Sequence, residues 1–147
     1  MSERIRERTP PPRREDFREL VELQTRWADN DAYGHMNNVV HYALFDTVVN
    51  RWLVERGLLD LKGGSSVFLV VETACRYHAE LAFPEPVTAG LRVERLGSSS
   101  IRYHIALFGT GERACADGTF VHVHVDRVTR RPLPLDESQR AILGKIA

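Results

Sequence analysis

The chain has 147 residues and a mass of 16.7 kDa, which fits one ordinary domain with a core that needs no staples. Its 20 basic residues balance 20 acidic ones, whereas a protein that grips nucleic acid through phosphates carries a basic surplus. No apolar run approaches the roughly 20 residues of a membrane span, so neither nucleic acid nor membrane is expected as a partner.

Residues 1–19 contain no apolar stretch of the secretory kind, and their arginines alternate with Glu3, Glu7, Glu15, Asp16 and Glu19, unlike an acid-poor transit peptide. With Pro10, Pro11 and Pro12 at its centre, this segment is expected to be a flexible tail. Residues 20–147 then form a single domain, and the cytoplasm is the compartment expected. The first strand is predicted over Leu20 to Trp27, where Val21, Leu23, Thr25 and Trp27 alternate with polar residues. A polar loop follows, ending in Asn37 and Asn38, either of which is a candidate helix cap.

From Val39 to Arg56 the period changes. Tyr42, Phe45, Val48, Val49, Trp52 and Leu53 share one helical face, opposite Asp46, Thr47, Asn50, Arg51 and Glu55. Gly57 stands where a glycine ends a helix. Four strand-like segments come next: Val67 to Glu80, Pro86 to Leu96, Ser99 to Phe108 and Glu112 to Asp126. The first opens as a continuous apolar run, which predicts burial on both faces. The connections are short enough for hairpins. After Arg127 the chain reads as irregular, with a final helical turn from Glu137. Cys75 and Cys115 fall in strand-like segments and are expected to be buried free thiols.

The order predicts an α+β fold, a five-stranded antiparallel sheet with one long helix on one face. The uncovered face or edge needs a partner, and a second copy of the chain is the economical one.

The densest polar cluster runs from Arg26 to Asn38 in the strand-to-helix loop. A helix start offers unpaired N–H groups and a partial positive charge, which suits a carbonyl oxygen becoming an oxyanion. Asp31, placed to reach back across that end, suits a base on water or a nucleophile. The plainer alternative is an Asx-rich loop that only holds a turn and caps a helix.

Asp29, Asp31, Gly34, His35, Asn37, Asn38 and Tyr42 form the pattern Asp-x-Asp-x-x-Gly-His-x-Asn-Asn-x-x-Tyr ahead of a long helix. This pattern resembles the acyl-CoA thioesterases of the 4-hydroxybenzoyl-CoA thioesterase type, over about Leu20 to Val128. The resemblance implies the hotdog fold, with the sheet wrapped around the helix, and acyl-CoA as substrate. It places the catalytic carboxylate on Asp31 and the oxyanion N–H near Asn38, with His35, Asn37 and Tyr42 in the substrate-binding loop and helix. It also implies a homodimer or homotetramer with sites between subunits. A serine-rich turn lies near the coenzyme A end in that family, which points to Ser99, Arg95 and Arg102 as phosphate contacts. Some branches carry histidine at the position of Asn38; this chain does not.

Other clusters carry less. His122 and His124 share a strand face but lack an evident third ligand, so surface or interface histidines are expected rather than a metal site. Gly63-Gly64-Ser65-Ser66 lacks the glycine that follows a nucleophile-elbow serine. Thioester hydrolysis asks for no cofactor. The rival reading is a non-catalytic acyl-thioester binding protein that uses the same groove, although binding alone has no evident need for Asp31. A hotdog dehydratase resembles a different motif.

Overall fold

The computed structural model describes residues 9–147. The long amphipathic stretch forms helix α1, Val40–Glu55, and five strands follow the expected order. They are β1 (Glu19–Leu23), β2 (Ser66–Tyr77), β3 (Val87–Leu96), β4 (Ser100–Phe108) and β5 (Ala116–Asp126). They make one antiparallel sheet in the order β1-β3-β4-β5-β2. The sheet wraps α1, which is the hotdog arrangement in the α+β class.

The core follows directly from the periodicities. Val87, Ala89, Leu91 and Val93 of β3, with Ile101, Tyr103, Ile105 and Leu107 of β4, are buried against Phe45, Val48, Val49, Trp52 and Leu53 of α1. Tyr42 lies at the margin of that face, half-buried. Gly57, at φ 72°, ends the helix in the left-handed conformation that glycine adopts freely. Gly118 of β5 has another use. A Cβ there would stand 1.9 Å from the Ala74 carbonyl oxygen and 2.9 Å from the Phe45 ring, so its absence is what lets α1 close on the sheet.

Several boundaries differ from expectation, each for a local reason. The first strand stops at Leu23. The Thr25 hydroxyl donates to the Glu85 carbonyl at 2.9 Å, and the Asp29 carboxylate caps a 3-10 turn, Trp27–Asp29, by accepting the Arg26 N–H at 2.7 Å. Trp27 is exposed rather than in a strand face. The continuous apolar run at the start of β2 is not buried on both faces. β2 is an edge strand, and Val70 and Val71, at an irregularity in the register, are 46% and 61% exposed.

The flexible tail expected over 1–19 also needs correction. Residues 1–8 lie outside the described residues, but the segment from Pro10 is docked. Phe17 is buried on the sheet face opposite α1, in a notch that Gly90 leaves open, since a Cβ there would stand 2.6 Å from the ring. The Arg14 guanidinium donates to the Gly109 carbonyl and the Pro12 carbonyl accepts from Ala114. At the other end the expected turn becomes a two-turn helix, α2 (Glu137–Gly144), started by a reciprocal cap between Asp136 and Gln139. Leu143 and Ile146 bury beneath it.

His122 and His124 are not surface histidines. Both are buried: His122 stacks on Phe68 and meets Tyr103 and Phe120 edge-on, and His124 lies against Phe68. Burial lowers the His122 pKa to about 4. Cys75 and Cys115 are free thiols, each only partly buried. Among the described residues no cluster of histidine, cysteine and carboxylate side chains has a metal-holding arrangement, and no helix is long and apolar enough to cross a membrane.

Candidate active site

The loop between β1 and α1 is built by its own Asx residues. Asn30 and Met36 form an isolated antiparallel bridge, and inside it Asp31 N–H donates to the His35 carbonyl at 2.8 Å. Gly34, at φ 80°, makes the turn at the tip. The Asp31 Oδ1 accepts from Tyr33 N–H at 2.8 Å. Its Oδ2 has no partner among the described residues, and the residue is partly exposed.

The neighbouring aspartate behaves differently. Asp29 is buried, salt-bridged to Arg26 at 2.8 Å, and its carbonyl accepts the Asn37 N–H at 2.8 Å. It is a structural residue. The loop is then fastened to the segment after β2. Asn30 brackets the Phe83 backbone, Met36 N–H donates to the Leu81 carbonyl, and His35 Nε2 lies 2.8 Å from Glu80.

At the start of α1 both expected capping positions are displaced. Asn37 Oδ1 accepts from Val39 N–H at 3.1 Å and its carbonyl accepts from Val40. Asn37 therefore opens a β-turn just ahead of the helix, and Asn38 occupies the second position of that turn. The Asn38 N–H has no acceptor among the described residues. Its carbonyl accepts the Tyr77 hydroxyl at 2.6 Å.

Tyr77 is the residue that sequence reading missed. It lies 39 positions away in β2, where nothing but strand alternation marks it. The Tyr77 side chain is partly exposed, and its hydroxyl is the donor because the Asn38 carbonyl can only accept. The His41 ring packs edge-on against it at 4.8 Å, and burial lowers the His41 pKa. Burial also pushes the nearby Cys75 thiol up to about 11, which leaves it protonated and a poor nucleophile at neutral pH.

The structure gathers Asp31, His35, Asn37, Asn38 and Tyr42 at one end of the domain. Arg95, Ser99 and Arg102 stand at the other end of β3 and β4 in the same chain, about 30 Å away along the ten residues of β3. Arg102 is paired there with Glu94 at 3.1 Å. Beside the loop a groove of about 400 Å³ is lined by Leu23, Val40, Ala43, Leu44 and Thr47, with Arg26 and Asp29 on one wall.

With this geometry in place, residues 25–143 match the model of the thioesterase-like superfamily. The chain belongs to that superfamily. The structure is similar to the PA5185 protein of Pseudomonas aeruginosa strain PAO1, at 50% identity over 93% of this chain and 96% of that one, with a TM-score of 0.89. It shares its fold with Slr0204 of Synechocystis, a 1,4-dihydroxy-2-naphthoyl-CoA thioesterase (15% identity, 85% and 94% covered, TM-score 0.75). It also shares its fold with SAV2348 of Staphylococcus aureus, solved in complex with CoA (19% identity, 86% and 81% covered, TM-score 0.78). For a thioesterase-like protein on a hotdog scaffold, thioester hydrolysis is the supported class of reaction.

Proposed function

We propose that this thioesterase-like protein hydrolyses an acyl-CoA thioester. The observation that carries the reading is the pair of unspent groups flanking one bridge: the Asp31 Oδ2 acceptor and the Asn38 N–H donor. In the reaction Asp31 takes a proton as water adds to the thioester carbonyl. The oxygen that becomes negative accepts from the Asn38 N–H, whose orientation is fixed before substrate arrives. The C–S bond then breaks and the coenzyme A sulfur leaves, taking up the proton. A route in which Asp31 attacks the carbonyl itself, with water cleaving the resulting anhydride, uses the same two groups. No cofactor is required.

Asn37 holds the turn and His35 the loop, while Tyr42, packed edge-on against Phe45, supports the helix start beside the substrate. The groove along Leu23, Ala43 and Leu44 suits the acyl group in size and apolarity. Arg95, Ser99 and Arg102 meet coenzyme A phosphates from the far end of a partner subunit's sheet, so the working unit is a homodimer or homotetramer. The unpaired, apolar β2 edge supports pairing with a second copy. Two free thiols fit the cytoplasm. The SAV2348–CoA complex on the same fold supports coenzyme A as the carrier.

A hydrolysis screen over short, long and aromatic acyl-CoAs, read by release of free thiol, tests the reading. Turnover of at least one class that disappears in Asp31→Asn is expected. Tight binding of acyl-CoAs without any turnover would instead make this a binding protein.

A further inference from the structure

The sheet face turned away from α1 carries a second polar centre that the hydrolytic reading does not use. Asp117 is buried there. Its Oδ2 accepts from His104 Nε2 at 2.7 Å and from Arg76 Nη2 at 2.9 Å, and its Oδ1 is 2.6 Å from His78 Nε2. The other nitrogen of His104, Nδ1, lies 2.8 Å from Arg92 Nη2. A guanidinium only donates, so Nδ1 is the acceptor and the proton sits on Nε2. His104 therefore links the Arg92 guanidinium to the carboxylate.

Burial alone would raise the Asp117 pKa. Hydrogen bonds from His104, His78 and Arg76 outweigh it and hold the carboxyl well below the usual range. One anion thus tethers two cations side by side without neutralising both.

These two arginines open onto a cavity of about 380 Å³ whose outer wall is the docked segment Pro10–Arg13. Arg13 and Arg113 line it as well, and Asp16 is the second carboxylate. Four guanidiniums therefore face two carboxylates. Most of their donors are unspent: Arg76 gives one hydrogen bond to Asp117, Arg113 one to the Pro11 carbonyl, Arg92 one each to His104 and the Asp16 carbonyl, and the Arg13 side chain has no partner among the described residues. Glu94, at the neighbouring end of the cleft, is already taken by Arg102. Arg92 is half-buried and Arg13, Arg76 and Arg113 are exposed at the mouth, so the cleft carries a net surplus of two positive charges open to solvent, which an anion of charge two would balance.

We propose that this cavity binds a phosphate monoester dianion. Guanidinium forks converging from several sides match a tetrahedral three-oxygen group better than a planar carboxylate. The volume exceeds that of bare phosphate and lies in the range of small-molecule sites. The phosphate belongs either to a small free metabolite or to coenzyme A itself. The site stands whether or not the protein hydrolyses thioesters.

Isothermal titration of the full chain at constant ionic strength tests it, with inorganic phosphate, glycerol 3-phosphate, coenzyme A and dephospho-coenzyme A as probes. Saturable binding of a phosphate monoester is expected. Arg76→Gln and Arg113→Gln should each weaken it by about tenfold or more; in phosphate-free buffer Arg113→Gln should melt like the parent, while Arg76→Gln should melt lower because Asp117 loses a charged partner. Arg76-dependent binding of glycerol 3-phosphate identifies a free phosphate ester. Arg76-dependent binding of coenzyme A but not of dephospho-coenzyme A identifies the 3′-phosphate of the carrier. Should no probe give saturable heat, or should the heats survive both substitutions, the proposal is overturned.

Discussion

Tyr77, the last residue of β2, donates its hydroxyl hydrogen to the carbonyl of Asn38 at 2.6 Å and so ties the edge of the sheet to the start of α1. The same peptide group is held at its other end, where Val39 N–H donates to Asn37 Oδ1. With both ends fixed, the turn has one orientation, and the Asn38 N–H points one way. Tyr77→Phe removes one anchor and keeps the ring against His41. A fall in kcat of about fivefold is expected, the equivalent of roughly 1 kcal/mol, with KM and melting temperature nearly unchanged. Unchanged kcat would mean that the turn needs no anchor.

The two aspartates of the loop should separate cleanly. Asp31→Asn keeps the Oδ1 acceptor for Tyr33 and should fold normally while losing about 10²–10⁴-fold in turnover. Asp29→Asn weakens a buried charge-assisted pair with Arg26, so its main effect is a loss of roughly 1–3 kcal/mol of stability. Denaturant melts and steady-state rates on both variants check this. Equal losses of rate in the two would place the carboxylate chemistry wrongly.

Asn38→Pro probes the backbone donor itself. Proline is favoured at the second position of a β-turn, the place Asn38 holds, so the fold should survive. Turnover should drop by about 10²–10³, the effect of losing one oxyanion donor, whereas Asn38→Ala keeps the N–H and most activity. Binding of a non-hydrolysable thioether analogue must be intact for the comparison to count. Parent-like turnover in a proline variant that binds the analogue would place the donor elsewhere.

A second copy should pair along β2. Light scattering is expected to return at least twice the chain mass at micromolar concentration. Thr73→Pro, which puts a residue without an N–H into that exposed strand, should shift the mass toward the single chain. A parent protein at the mass of one chain would sink the idea.

The buried histidine sets an acid limit. His122 carries a folded pKa of about 4 against an ordinary 6.5, so between these values the unfolded chain binds the extra proton. Stability is therefore full above pH 6.5 and falls by up to about 1.4 kcal/mol per unit as pH drops toward 4. Asp117 acts below that window, since its lowered pKa contributes stability that is lost only as pH falls under the ordinary carboxylate range. His122→Leu should flatten the slope between pH 6.5 and 4 in chemical melts, and an unchanged slope would assign it to another group.

Much of the fold was legible because its signals are local. The six apolar positions of α1 and the alternation of β3 and β4 each need only a short window. What was lost depends on contacts distant in sequence. Phe17 reads as part of a polar, proline-rich arm, and only Gly90, more than seventy residues later, gives it a seat. His122 reads as a surface residue because imidazole is polar, while the aromatic rings around it come from three strands. In the loop, the pattern of Asp31 to Tyr42 marked the place, but the partner that orients it sits on β2. Asp117, with its partners on β4 and at the end of β2, gave no sequence signal at all.

Gly118 sets a limit of another kind. The spacing between α1 and the sheet is fixed at one point by an atom that is not there, with the Ala74 carbonyl on one side and the Phe45 ring on the other. Phe45 lies less than two turns from the start of the helix. Any side chain at 118 would have to lift α1 or part the two strands. Lifting the helix would carry the Asn38 carbonyl away from the Tyr77 hydroxyl before the core came apart. Position 118 thus belongs to the tolerances of the helix start as much as to the packing of the core, although it lies on β5, away from the loop that carries Asp31 and Asn38.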